Sequence, residues 1–82
     1  MPKLPRDLDG AELVKMLRRF GYAEIRQTGS HIRLTFSKGS KRHNMTIPAH
    51  SPLKIGTLNA ILDDVASFSE IDKDELLRKL LE

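Results

Sequence analysis

Gly29-Ser30-His31-Ile32-Arg33-Leu34-Thr35-Phe36 joins a small, flexible turn to a strictly alternating run. Read as a strand, the run sets Ile32, Leu34 and Phe36 on one face and His31, Arg33 and Thr35 on the other. The first face belongs in a core. The second carries an imidazole, a guanidinium and a hydroxyl, a set better suited to a phosphodiester than to packing. Histidine is also the side chain that most readily changes its charge near neutral pH and moves protons.

The neighbouring segments extend this strand into a sheet. Residues 22–28 alternate weakly and read as a first strand, with Ala23 and Ile25 inward. Lys38-Gly39-Ser40-Lys41 reads as a hairpin loop. Arg42 to Ile47 reads as a third strand, with Met45 and Ile47 inward, Asn44 and Thr46 outward, and Pro48 ending it. Ahead of the sheet, residues 1–7 hold two prolines and read as an extended lead-in. Asp9 with Glu12 three residues on resembles a capping box, and a helix follows from Ala11 to Phe20. Leu13, Met16, Leu17 and Phe20 fall on its apolar side, with Val14 at the edge, and Lys15, Arg18 and Arg19 form the opposite stripe. Gly21 suits the position after a helix end.

After the sheet, residues 49–54 read as a loop. A second helix begins near Ile55 or Gly56, runs through Leu58, Ile61, Leu62 and Val65, and is broken by Ser67-Phe68-Ser69-Glu70. A second capping box, Asp72 with Glu75, opens a third helix through Leu76, Leu77, Leu80 and Leu81. The order is α-β-β-β-α-α. It predicts an α+β fold in which helices cover one face of a three-stranded antiparallel sheet. The other face stays open, and His31, Arg33, Asn44 and Thr46 should lie on it.

With 82 residues the chain is read as one domain spanning 1–82. Such a domain has little apolar material left after its core is filled, so an open surface is easier to build than a deep cavity. There is no cysteine, which excludes disulfides and thiolate metal sites and fits a reducing compartment. No apolar run is long enough to span a bilayer, and the first residues lack the apolar core of a secretory signal; the expected location is the cytoplasm. Net charge is +3, but its distribution is uneven. Residues 1–57 hold 11 basic and 4 acidic side chains, whereas residues 58–82 hold 3 basic and 7 acidic. The basic part attracts phosphates by counterion release, and the acidic end suits solvent or a protein partner.

Several elements in sequence order point to one family. Asp9-Gly10-Ala11-Glu12-Leu13, Phe20-Gly21-Tyr22, Arg26-Gln27-Thr28-Gly29-Ser30-His31, Thr46-Ile47-Pro48-Ala49-His50, and Ile55-Gly56-Thr57-Leu58 with Ile61-Leu62 resemble the HicA (YcfA-like) toxin family over roughly residues 4–81. The resemblance implies a fold like a double-stranded-RNA-binding domain. It implies an mRNA interferase, the toxin of a type II toxin-antitoxin system, restrained by a HicB-like antitoxin protein. It also makes His31 the catalytic histidine. Where many relatives carry a basic residue this chain has Thr28, and where many carry basic or neutral polar residues in the second helix it has Asn59, Asp63 and Asp64.

The residues could supply metal-independent RNA cleavage, the activity that the resemblance implies. The RNA supplies a 2′-hydroxyl nucleophile, so the protein needs proton transfer and positive charge on the phosphorane oxygens. His31 is assigned to proton transfer. Arg26 and Arg33 are candidate phosphate ligands because guanidinium engages phosphate bidentately. Gly29 and Ser30 offer a backbone that a phosphate can approach closely. Lys15, Arg18 and Arg19 are candidates for lying along an RNA backbone. No second proton-transfer group is evident. His43 shares parity with Met45 and should face the helices or cap an edge, and His50 is read as fixing its loop before the second helix in preference to contacting RNA. His31, His43 and His50 lack metal-ligand spacing, so no metal or other cofactor is expected. Two further functions suit the same sequence: a non-catalytic RNA-binding module, or a protein-interaction domain that uses the acidic end.

Overall fold

The computed structural model describes residues 7–50 and 52–81. The elements are α1 (Gly10–Phe20), β1 (Ala23–Thr28), β2 (His31–Lys38), β3 (Lys41–Pro48), α2 (Ile55–Ser69) and α3 (Lys73–Leu81). The strands form one antiparallel sheet in the order β1-β2-β3. This is the expected α-β-β-β-α-α arrangement. The lead-in expected over residues 1–7 falls outside the described residues except for Asp7.

One face of the sheet holds the core. Ile32, Leu34 and Ile47 are buried there against Leu13, Val14 and Leu17 of α1, Leu58, Leu62 and Val65 of α2, and Leu76, Leu77 and Leu80 of α3. Leu8 and Leu53 also enter this cluster, and the Leu53 N–H donates to the Leu8 carbonyl at 2.8 Å. Asp9 is the N-cap of α1, and its N–H lies 3.4 Å from the Glu12 carboxylate. Asp72 accepts from the Glu75 N–H at 2.8 Å and starts α3. Both helix starts were legible from the spacing of their carboxylates.

Both hairpins turn on Gly-Ser. Thr28 pairs with His31 across Gly29-Ser30, and Lys38 pairs with Lys41 across Gly39-Ser40. Gly29 has φ 58° and Gly39 has φ 63°, and neither serine has a positive φ. Positive φ at the first central residue alone is the type II′ pattern, which matches the twist of the flanking strands. The second and third strands thus run further than the alternation suggested, and the loop between them shrinks to two residues.

Three expectations need correction. Ala23 and Ile25 do not face the core. Ala23 is exposed and pairs with Thr35, while Ile25 is 55% exposed and sits at a bulge between Glu24 and Arg26. Leu81 is likewise exposed at the end of α3. Ser67-Phe68-Ser69 do not break the second helix, which continues to Ser69 and ends where Glu70 takes a left-handed φ of 59°. Phe68 accounts for the extension: its ring meets those of Phe36 and His43 with centroids 5.8 and 5.0 Å apart. Tertiary packing there outweighs the weak helix preference of serine. Lys38 completes the end of α2 by donating to the Ser69 carbonyl at 3.1 Å and lying 3.9 Å from the Glu70 carboxylate.

Tyr22, read as the first residue of a strand, is instead a buried hub between α1 and the sheet, 3% exposed. Its hydroxyl lies 2.7 Å from His43 Nδ1, and its ring packs on Phe36. Burial, with the Asp64 carboxylate adding to it, pushes its phenol up from 10.0 to about 12. The unfolded phenol ionises first as pH rises, so the unfolded state binds fewer protons than the native state above pH 10. Stability is therefore expected to fall between pH 10 and about 12. Denaturant unfolding at stepped pH should show that slope in the natural chain and a shallower one in Tyr22→Phe.

Candidate nucleic-acid interface

The face of the sheet away from the helices is open, and its composition follows from register. Thr28, His31 and Pro48 form one row across the three strands, with His31 paired to both neighbours. Arg26, Arg33 and Thr46 form the next row, and Ala23, Thr35 and Asn44 the one after. Thr28, His31, Arg26, Arg33, Asn44 and Thr46 are all exposed. His31 and Arg33 are two residues apart on β2, so their Cα atoms lie about 6–7 Å from one another.

The bulge at Ile25 decides which face Arg26 occupies. Glu24 pairs with Leu34, whose side chain is in the core. Uninterrupted pairing would oppose Arg26 to Ile32 and turn it toward the helix side. The extra residue shifts the register so that Arg26 opposes Arg33. Sequence alternation also puts Arg26 outward, but from the wrong parity, because it holds Ile25 inward. The bulge breaks the alternation and restores Arg26 to the open face.

Two like charges directly opposite each other on a sheet are unfavourable. Neither Arg26 nor Arg33 has an ion-pair partner among the described residues. No Asp or Glu occupies an outward position in the three rows. An anion bound between the two guanidiniums would relieve that repulsion. Arg26→Thr is accordingly expected to raise Tm by about 1–6 °C, read by thermal unfolding at low salt. The gain should shrink as salt screens the pair.

Local bonds hold the turn beside His31. The Gln27 amide donates to the Gly29 carbonyl at 3.2 Å, and the Ala49 N–H donates to the Ser30 carbonyl at 2.7 Å. The next residue, His50, accepts at its carbonyl from the Gly10 N–H at 3.0 Å. The segment Pro48-Ala49-His50 thus ties the turn before His31 to the first turn of α1. The backbone of His50 does this fixing, and its side chain is exposed. A Cβ built on Gly29 meets nothing within 4 Å, so the glycine serves backbone conformation and leaves open space beside the turn. Gln27 and Ala49 stand in the sequence only within the stretches that carry the family resemblance, and no short-range signal gives them a role of their own.

Other candidates lie elsewhere. Lys15, Arg18 and Arg19 are exposed on α1, in the helix layer rather than on the open sheet face. Arg19 donates to the Leu80 carbonyl at 3.2 Å and thereby joins α1 to the end of α3. His43 is on the core side, bonded to Tyr22 and stacked on Phe68, so the sheet separates its ring from that of His31. Among the described residues no three His, Asp or Glu side chains converge in a metal-binding cluster.

A family model described as the HicA toxin of bacterial toxin-antitoxin systems matches residues 10–66, more than half of the chain. The chain belongs to the HicA toxin family. The match covers α1, the whole sheet and most of α2. No curated protein and no solved structure matches the chain. Membership implies a toxin that works opposite an antitoxin partner. No helix among the described residues is long and apolar enough to cross a membrane. The α3 helix lies beyond the matched segment and is fastened to this HicA chain by Lys73, which donates to Asn59 and pairs with Asp63 at 3.1 Å. Two of the residues noted above as departures in the second helix thus have a structural use here.

Proposed function

We propose that this HicA toxin is a metal-independent endoribonuclease that cleaves single-stranded mRNA on the open face of its sheet. The 2′-hydroxyl of the RNA attacks the adjacent phosphorus, the bond from phosphorus to the 5′-oxygen breaks, and a 2′,3′-cyclic phosphate and a 5′-hydroxyl result. His31 takes the 2′ proton or delivers a proton to the leaving 5′-oxygen. Arg26 and Arg33 engage the phosphate and stabilise the charge that builds on its oxygens. Gly29 and Ser30 let the backbone come close. Solvent supplies the other proton transfer.

The observation that carries this reading is the pair of opposed arginines with no carboxylate on their face, one row from an exposed histidine. The chain acts as one unit over residues 1–82, in the cytoplasm, and a HicB-like antitoxin silences it by covering His31. Incubating the purified protein with a defined single-stranded RNA, with and without a chelator, tests the proposal. Cleavage is expected in both conditions and is expected to cease when the antitoxin is added. Intact RNA in both arms, or cleavage only where a divalent ion is free, would refute it.

A further inference from the structure

The open face continues past the arginine pair. On β3, Arg42 pairs with Ser37 and Asn44 with Thr35, the same alternation that places Thr46 beside Arg33 and Pro48 beside His31. Arg42 and Asn44 therefore share the face of His31, and both are exposed. Pro48 and Arg42 are six residues apart along β3, a span of about 20 Å. No carboxylate occupies an outward position along that span, and Arg42 has no ion-pair partner among the described residues.

From this geometry we infer that Arg42 is a distal phosphate-binding residue, and that single-stranded RNA lies along β2 and β3 from His31 to the Gly39-Ser40 turn. The inference rests on the reading of this face as an RNA site. Charge complementarity selects the occupant. Three guanidiniums are spread along one strip, with Thr46 beside Arg33, Ser37 beside Arg42, and Thr35 and Asn44 in the row between. Outward positions carry no Phe, Tyr or Trp. The strip therefore offers arginine but none of the aromatic anchors common at the centre of protein interfaces. It also lacks the stacking platforms that many single-strand binders use, so binding runs through phosphates and is tolerant of sequence. Asn44, midway, is placed to touch a base or sugar edge.

The test measures binding of fully 2′-O-methylated single-stranded RNA, which has no attacking hydroxyl, as a function of salt. Each phosphate contact on a single strand contributes about 0.7 to the slope of log affinity against log salt. With an oligonucleotide of about 12 nucleotides, within the range that single-strand sites cover, Arg42→Gln is expected to reduce the slope by about 0.7. With a dinucleotide, too short to reach from His31 to Arg42, the substitution should leave the slope unchanged. Lys54→Gln removes the same charge from an exposed position off the sheet and should also leave it unchanged. An unaltered slope in Arg42→Gln, while Arg33→Gln lowers it, overturns the RNA path and leaves the cleavage site standing. An equal drop in Lys54→Gln overturns it in favour of a net-charge effect. If the natural chain binds neither oligonucleotide at low salt, both the path and the RNA reading fail together.

Discussion

Replacing His31 with alanine is expected to slow RNA cleavage about 10²- to 10⁴-fold while leaving Tm essentially unchanged. The first half follows from the chemistry, because a methyl group cannot carry a proton to or from the RNA. The second half follows from the surroundings. The imidazole is exposed and has no hydrogen bond, ion pair or ring contact among the described residues. A substitution at such a surface position usually changes stability by no more than about 0.5 kcal/mol. His43→Ala is the contrast: it removes the partner of the buried Tyr22 hydroxyl and the ring stacked on Phe68, so it should lower Tm. Measured side by side, the two variants separate a histidine that acts on substrate from one that holds the fold. Single-turnover cleavage and affinity for uncleavable RNA complete the comparison. His31→Ala should lose rate and keep binding, since the arginines remain.

The second large effect is expected at Gly10. A Cβ on this residue would run into the carbonyl oxygen of Pro48, far inside van der Waals contact, and would press on the Ala49 Cα at 3.0 Å. Neither obstacle is a flexible side-chain end, so backbone must move. The Gly10 N–H also holds the His50 carbonyl. Gly10→Ala should therefore cost about 1–3 kcal/mol, the usual range for overpacking a close contact. In a domain of this size that lowers Tm by about 5–20 °C. Thermal unfolding followed by circular dichroism reads this directly. A Tm within 2 °C of the natural chain would show that the start of α1 is free to move away from Pro48-Ala49-His50, contrary to the packing described.

The sequence discloses the fold unevenly, and particular residues show why. The β2 strand was plain because Ile32, Leu34 and Phe36 alternate strictly with polar residues, a pattern that only a half-buried strand needs. The starts of α1 and α3 are plain because carboxylates sit at their capping positions. The first strand was misread because a bulge adds a residue without leaving a mark in composition; nothing local distinguishes Ile25 from a core residue. The end of α2 was misread because Phe68 is held by aromatic partners on two strands. Gly10 was noticed only as part of a helix start, since the backbone that crowds it lies nearly forty residues away in sequence. His31 and Arg33 were legible together because they share one strand and one parity. The partnership of Arg26 with Arg33 required the register, and Arg42 required the full length of β3.

The most direct test of the central claim is the chemistry of the RNA ends after cleavage by the natural chain in excess chelator. Attack by the neighbouring 2′-hydroxyl, with His31 moving the proton, predicts 2′,3′-cyclic phosphate on one fragment and a free 5′-hydroxyl on the other. Fragments ending in 3′-hydroxyl and 5′-phosphate would mean that water is the nucleophile, and would contradict the mechanism assigned to this face.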